Sequence, residues 1–143
     1  MDNKEHSPRI FIEVSEGYLE SIKLISEKLN NKTLYTFGLL SCLAIETSLK
    51  AILLKEGVET SSLRKIGHNI EGLWEKVFEL GVRINPDFRS TVTIYSKQRN
   101  ATVSFRYPVE GTIQYVNSPI QTIHDIEGII NYAKNHITNE KDD

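Results

Sequence analysis

The sequence predicts an all-α domain, an up-and-down bundle of about four to five helices, on three observations. Apolar residues recur at spacings of three and four in several separate segments. Ser-Pro and Asn-Pro pairs precede most of these segments and glycines follow several of them. One long stretch, Leu34 to Leu54, is apolar nearly all round, as a helix at the centre of a bundle must be. With 143 residues the chain is expected to be a single domain with its core over 10–137 and a charged tail over 138–143.

Taken in order, Ser7-Pro8 opens a first helix whose apolar series is Phe11, Val14, Tyr18, Ile22, Ile25 and Leu29, ending near Asn30-Asn31. Thr33 caps a second helix to about Lys55, stopped at Gly57. The stretch from Val58 to Gly67 is polar and lacks periodicity, which reads as a mobile loop. A third helix puts Ile70, Leu73, Val77 and Leu80 on one face and stops at Gly81. Asn85-Pro86 starts a fourth, with Phe88, Val92, Tyr95 and Arg99 along one stripe. Residues 101–117 fit two readings: a continuation of that helix to about Tyr107 followed by an extended loop, or a β-hairpin around Pro108-Val-Glu-Gly. Ser118-Pro119, with Gln121 completing a capping box, opens a last helix whose inner face is Ile123, Ile126, Ile130, Ala133 and Ile137.

Composition narrows the function classes. Lys and Arg total 17 against 19 Asp and Glu, so the chain is not a basic nucleic-acid-wrapping protein, and any contact with RNA or DNA must be local. The lone Cys42 lies among Leu39, Leu40, Leu43 and Ala44 and reads as a small core residue in a reducing, cytoplasmic setting. No secretory signal is expected at the N-terminus. Glu46 and Lys50 inside the apolar stretch favour a buried helix over a membrane span, so no membrane partner is expected. His6, His68, His124 and His136 lack metal-ligand spacing, and there is no glycine-rich phosphate loop, so neither metal nor cofactor is expected.

Glu46 is the first candidate site residue, because a carboxylate in so apolar a helix must be paired or edge a cleft. It either pairs with Lys50 one turn on, or faces Arg99 or Arg106 across the bundle. If the fourth helix continues, Arg99 and Arg106 stand nearly two turns apart on one side, an arrangement suited to phosphate. Alternatively, one anchors to Glu46 and the other to a loop carbonyl. Tyr95 and Tyr107 flank the pair, and each either stacks on a base or fills the core. His68, after Gly67, either caps the next helix or fixes the loop.

Three segments taken together, Ala44-Ile-Glu46-Thr-Ser-Leu-Lys50-Ala-Ile-Leu-Leu-Lys55-Glu-Gly57, Gly67-His68-Asn-Ile-Glu-Gly-Leu73, and Arg99-Asn100 with Arg106-Tyr107-Pro108, resemble the HEPN domain family (higher eukaryotes and prokaryotes nucleotide-binding). The resemblance covers roughly residues 10 to 137. It implies a helical bundle that forms a homodimer, whose active members are metal-independent endoribonucleases with an arginine five to seven positions before a histidine. Arg99-Asn100 matches the first half of that motif. Positions 104 to 106 are Ser104, Phe105 and Arg106, so the histidine is missing. Cleaving RNA without metal requires a group that takes and gives protons near neutral pH, which arginine does not do.

The resemblance therefore implies a non-catalytic module that binds nucleotide, RNA or a partner protein, for which Arg99, Arg106, Glu46, Tyr107 and Tyr95 are the ligand-binding candidates. A nucleotidyltransferase-type chain is the partner it suggests. Two other readings stay open. One is an active ribonuclease, of the toxin or defence kind, with Arg99, Asn100 and His68 as catalytic candidates. The other is a structural adaptor whose arginines are tied up internally.

Overall fold

A computed structural model describes residues 7–100 and 118–139, with the side chains of residues 99 and 100 outside that description. The described residues form an all-α bundle: α1 (Pro8–Ser26), α2 (Leu34–Lys55), α3 (Thr60–Ile66), α4 (Ile70–Glu79), a 3-10 turn (Pro86–Phe88), α5 (Arg89–Asn100) and α6 (Pro119–Thr138). The continuation of the fourth predicted helix past residue 100, the hairpin alternative, Arg106 and Tyr107 all fall outside the described residues.

α2 occupies the centre, packed by α1, α4, α5 and α6. Phe37, Cys42, Ala44, Ile45, Leu49, Ile52 and Leu53 are all fully buried and spread over about half of its circumference, so several neighbours must cover it. By length and composition this helix could cross a membrane, and 67% of its apolar window is buried inside the bundle. Its C-terminus closes as the sequence indicates: Gly57 N–H donates to Leu54 O and Val58 N–H to Leu53 O, the hydrogen-bond pair of a Schellman motif.

Ion pairs and side-chain hydrogen bonds give the directions of the helices. Glu16 with Lys134 and Lys23 with Glu127 run α1 antiparallel to α6. Glu71 with Thr93, and Glu75 with Arg89, run α4 antiparallel to α5. Thr91 with Asp125, and Tyr95 with Thr122, do the same for α5 and α6. Long helices thus alternate in direction, except that α4 runs the same way as α2. That exception requires the chain to return along α2 by about 14 Å from Lys55 to the level of Glu46. The return is made by α3, where the sequence predicted a loop. Leu63 is its one buried side chain, and seven residues are too few to display helical periodicity, so the pattern was invisible.

Three further expectations are corrected. α1 ends at Ser26 rather than at Asn30, whose side-chain oxygen instead accepts from the Lys32 and Thr33 amides in a turn. The buried face of α1 is Ile12, Ser15, Leu19 and Ile22, so of the predicted stripe only Ile22 is fully enclosed and Val14 is exposed. Leu80, predicted on the inner face of α4, is also exposed, and Trp74 is buried in its stead. Of the expected caps, Ser7, Asn85 and Ser118 accept from backbone amides at helix starts, whereas Thr33 makes no side-chain cap and α4 is capped by Asn69 rather than by His68. Only half of the capping box forms, since the Gln121 side chain donates to Asp125.

Gly128 in α6 takes the tip of the Phe88 ring, and a Cβ there would collide with that ring. Phe88 belongs to the 3-10 turn that leads into α5, so the collision would push apart the α5–α6 joint. Gly128→Ala is expected to destabilise the fold by about 1–3 kcal/mol despite alanine's better helix propensity. Urea unfolding monitored by circular dichroism measures this, and a stabilised variant would contradict the packing.

Candidate functional site

One polar cluster of the described core is built around Glu46. Its carboxylate is 5% exposed, in the middle of the most apolar helix. Oε2 accepts from Lys50 Nζ at 2.9 Å, and both oxygens lie within 3.0–3.1 Å of His68 Nδ1. The Lys50 partner is the one that sequence spacing offers through the i to i+4 relation. The His68 partner is not, because α3 has to carry the chain back along α2 before the two residues meet. Gly67 makes the last step: its φ of +65° is open to glycine at little cost and turns the backbone so that His68 faces α2. His68 therefore fixes the connection, while Asn69 caps α4.

This geometry settles the chemistry of the imidazole. A carboxylate accepts hydrogen bonds, so the neutral ring carries its proton on Nδ1 and its lone pair on Nε2. The ring is 54% exposed, with Nε2 as the nitrogen turned away from the carboxylate. Lys50 Nζ and His68 Nδ1 share one carboxylate, so an ammonium and an oriented imidazole stand side by side. Such a pair can receive an anion, the ammonium by charge and the imidazole as donor or acceptor according to its protonation.

The last turn of α5 adds to the same region. Ser96 Oγ accepts from the Glu71 amide at the start of α4, and the two helices are antiparallel. Past that contact, α5 continues to Arg99 and Asn100 while α4 leads back to His68, so both pass beyond the joint in the same direction. The predicted contact of Glu46 with Arg99 or Arg106 lies outside the described residues. Tyr95, by contrast, is fully buried, with its hydroxyl bonded to Thr122 at 3.0 Å. Burial foremost raises its phenol well above the usual range. Of its two sequence readings it takes the core one and leaves the list of ligand contacts. Cys42 is likewise buried, its thiol donating to Tyr95 O.

Two polar clusters were missed in the sequence. Buried Asp125 accepts from Thr91 and from Gln121, with His124 Nδ1 at 3.2 Å, and thereby ties α6 to α5. The spacing from Gln121 to Asp125 carried a local signal, but Thr91 is 34 residues away. On the surface, Arg89 bridges Glu71 and Glu75. The Arg89 hydrogen bond, more than any other influence, holds the Glu71 carboxyl below its usual range; partial burial opposes it and Thr93 assists. Among the described residues no group of three or more His, Cys, Asp or Glu is placed to hold a metal ion.

Comparison with known proteins finds no matching family model, curated protein or solved structure.

Two outcomes follow from this geometry. Glu46→Ala leaves the poorly exposed Lys50 ammonium without its partner and should cost about 3 kcal/mol, whereas His68→Ala, at the solvent edge, should cost about 1 kcal/mol or less. Equal losses in chemical denaturation would contradict the assignment of Glu46 as the anchor. Because the folded carboxyl of Glu71 titrates below its unfolded value of about 4.5, its stabilising contribution is present above that pH and fades as pH falls through the folded value. Glu71→Gln should therefore lose less stability than wild type between pH 5 and pH 3, read from urea midpoints.

Proposed function

We propose that this chain is a HEPN-like, non-catalytic binding module that holds the phosphate of RNA or of a nucleotide beside the Glu46 cluster, with Arg99 and Arg106 supplying the guanidinium contacts. The observation that carries the reading is a lysine and a histidine anchored on one buried carboxylate, just before the start of α4, where Ser96 of α5 bonds the Glu71 amide. A buried charge in the core helix is costly unless it is paired, and here the pairing holds an imidazole at the solvent edge with a largely enclosed ammonium beside it. Arginine adds planar, bidentate phosphate contacts to that set. Tyr107 remains a stacking candidate within this proposal. The family resemblance extends it to a homodimer in a cytoplasmic setting, with a nucleotidyltransferase-type chain as a possible protein partner by analogy alone.

A second reading, a metal-independent endoribonuclease, is favoured by one feature. His68 has Nδ1 fixed by a carboxylate and Nε2 free of it, the arrangement of a general base. In this reading His68 takes the place of the histidine missing after Arg99-Asn100.

One experiment separates the two. Purified protein is incubated with labelled cellular RNA including tRNA, in the presence of a chelator, and scored for cleavage and for gel shift. The binding module leaves RNA intact and gives a shift weakened at least ~10-fold by Arg99→Ala with Arg106→Ala, with helical content unchanged. Cleavage abolished by His68→Ala would replace that reading with the ribonuclease. Intact RNA together with an equal shift in the double arginine variant would sink both.

A further inference from the structure

Whether the Glu46 cluster carries a net charge depends on one proton. Glu46 contributes a negative charge and Lys50 a positive one, so with a neutral His68 ring the cluster sums to zero. Protonation of the ring makes it a cation.

Exposure points to the same atom. The Lys50 side chain is only 16% exposed and its ammonium is held on Glu46 Oε2, so its charge is largely spent inside the fold, whereas His68 stands at the solvent edge. Nδ1 of the ring is also committed to Glu46. Nε2 is therefore what meets a ligand from solvent, and its lone pair repels an oxyanion while its N–H donates to one. The other described charges around the ring are engaged or line other surfaces. Glu71 in the first turn of α4 is held by Arg89 and Thr93, and Lys97 of α5 acts on Glu71. Arg64 and Lys65, in the last turn of α3, line clefts beside Gly57 and beside Glu75 respectively.

The His124–Asp125 pair shows what Lys50 adds. There too an imidazole meets a buried carboxylate, but the other described partners of Asp125 are the neutral Thr91 and Gln121. Protonation brings that pair only to neutrality. At Glu46 the carboxylate is already balanced by the ammonium, so a proton on His68 leaves a surplus positive charge at the solvent edge.

We infer, on the phosphate reading already proposed for this cluster, that an RNA phosphodiester binds there together with one proton, taken from solvent onto His68 Nε2, so that binding strengthens as pH falls from 8 to 6. The complex holds one proton more than the free protein with a neutral ring. Affinity is thus full where the ring is already protonated and declines as pH rises through the range in which imidazole titrates.

The test is isothermal titration calorimetry of the full chain with a short single-stranded RNA lacking terminal phosphates, a ligand that does not itself titrate between pH 6 and pH 8, at constant ionic strength. The dissociation constant should rise about 5- to 20-fold from pH 6 to pH 8, and runs at pH 7.5 in HEPES and in Tris, which differ in ionisation enthalpy, should report uptake of about one proton. His68→Gln should keep the far-UV spectrum, bind no better at pH 6 than at pH 8, and take up no proton. His124→Gln should keep the full pH dependence. A wild-type dissociation constant that is the same at pH 6 and pH 8, or a pH dependence that survives His68→Gln, overturns the inference while the RNA binding itself keeps the phosphate reading standing. RNA that binds at no pH defeats that reading and the inference with it.

Discussion

The fold is organised around a helix most of whose surface water cannot take. α2 is apolar over the greater part of its circumference, so its burial requires several neighbours, and α1, α4, α5 and α6 are those neighbours. Because α4 must lie parallel to α2, the chain has to travel back before α4 begins. α3 is the consequence of that requirement and not of any strong helical signal of its own.

Apolar packing alone leaves the register of such a bundle loosely specified, since a leucine surface accepts many sliding offsets. Pairs of polar groups at the joints remove that freedom. Ser15 and Ser48 bond where α1 crosses α2, Thr91 meets Asp125 and Tyr95 meets Thr122 between α5 and α6, and His68 meets Glu46 at the start of α4. Each buried donor or acceptor loses its partner if the helices slip, at a cost of about 1–3 kcal/mol. Glu46 belongs to this set, and its two partners both carry protons, an ammonium and an imidazole held on one carboxylate.

The offset of the α1 stripe belongs to the same logic. Ser15 occupies the middle of the buried face because it bonds α2, and the larger apolar residues stand to one side. The exposed Ile10 and Val14 are then a consequence of how α1 is keyed to α2.

Signals that act over a few residues were legible in the sequence. The all-α class, the proline-led starts, the asparagine and serine caps, the Gly57 stop and the Glu46–Lys50 pair all rest on spacings of one turn or less. The buried state of Cys42 followed equally from its immediate neighbours. What required the tertiary structure depends on separations of tens of residues: α3 as a return path, His68 rather than an arginine as the described partner of Glu46 alongside Lys50, the core position of Tyr95, and the Thr91–Asp125 tie. Periodicity shows that a helix has an apolar side but not which neighbour takes it, so the buried face of α1 was decided only by the hydrogen bonds that lock it to α2. Local chemistry determined the elements; packing of the other helices on the largely buried α2 determined which side chains meet.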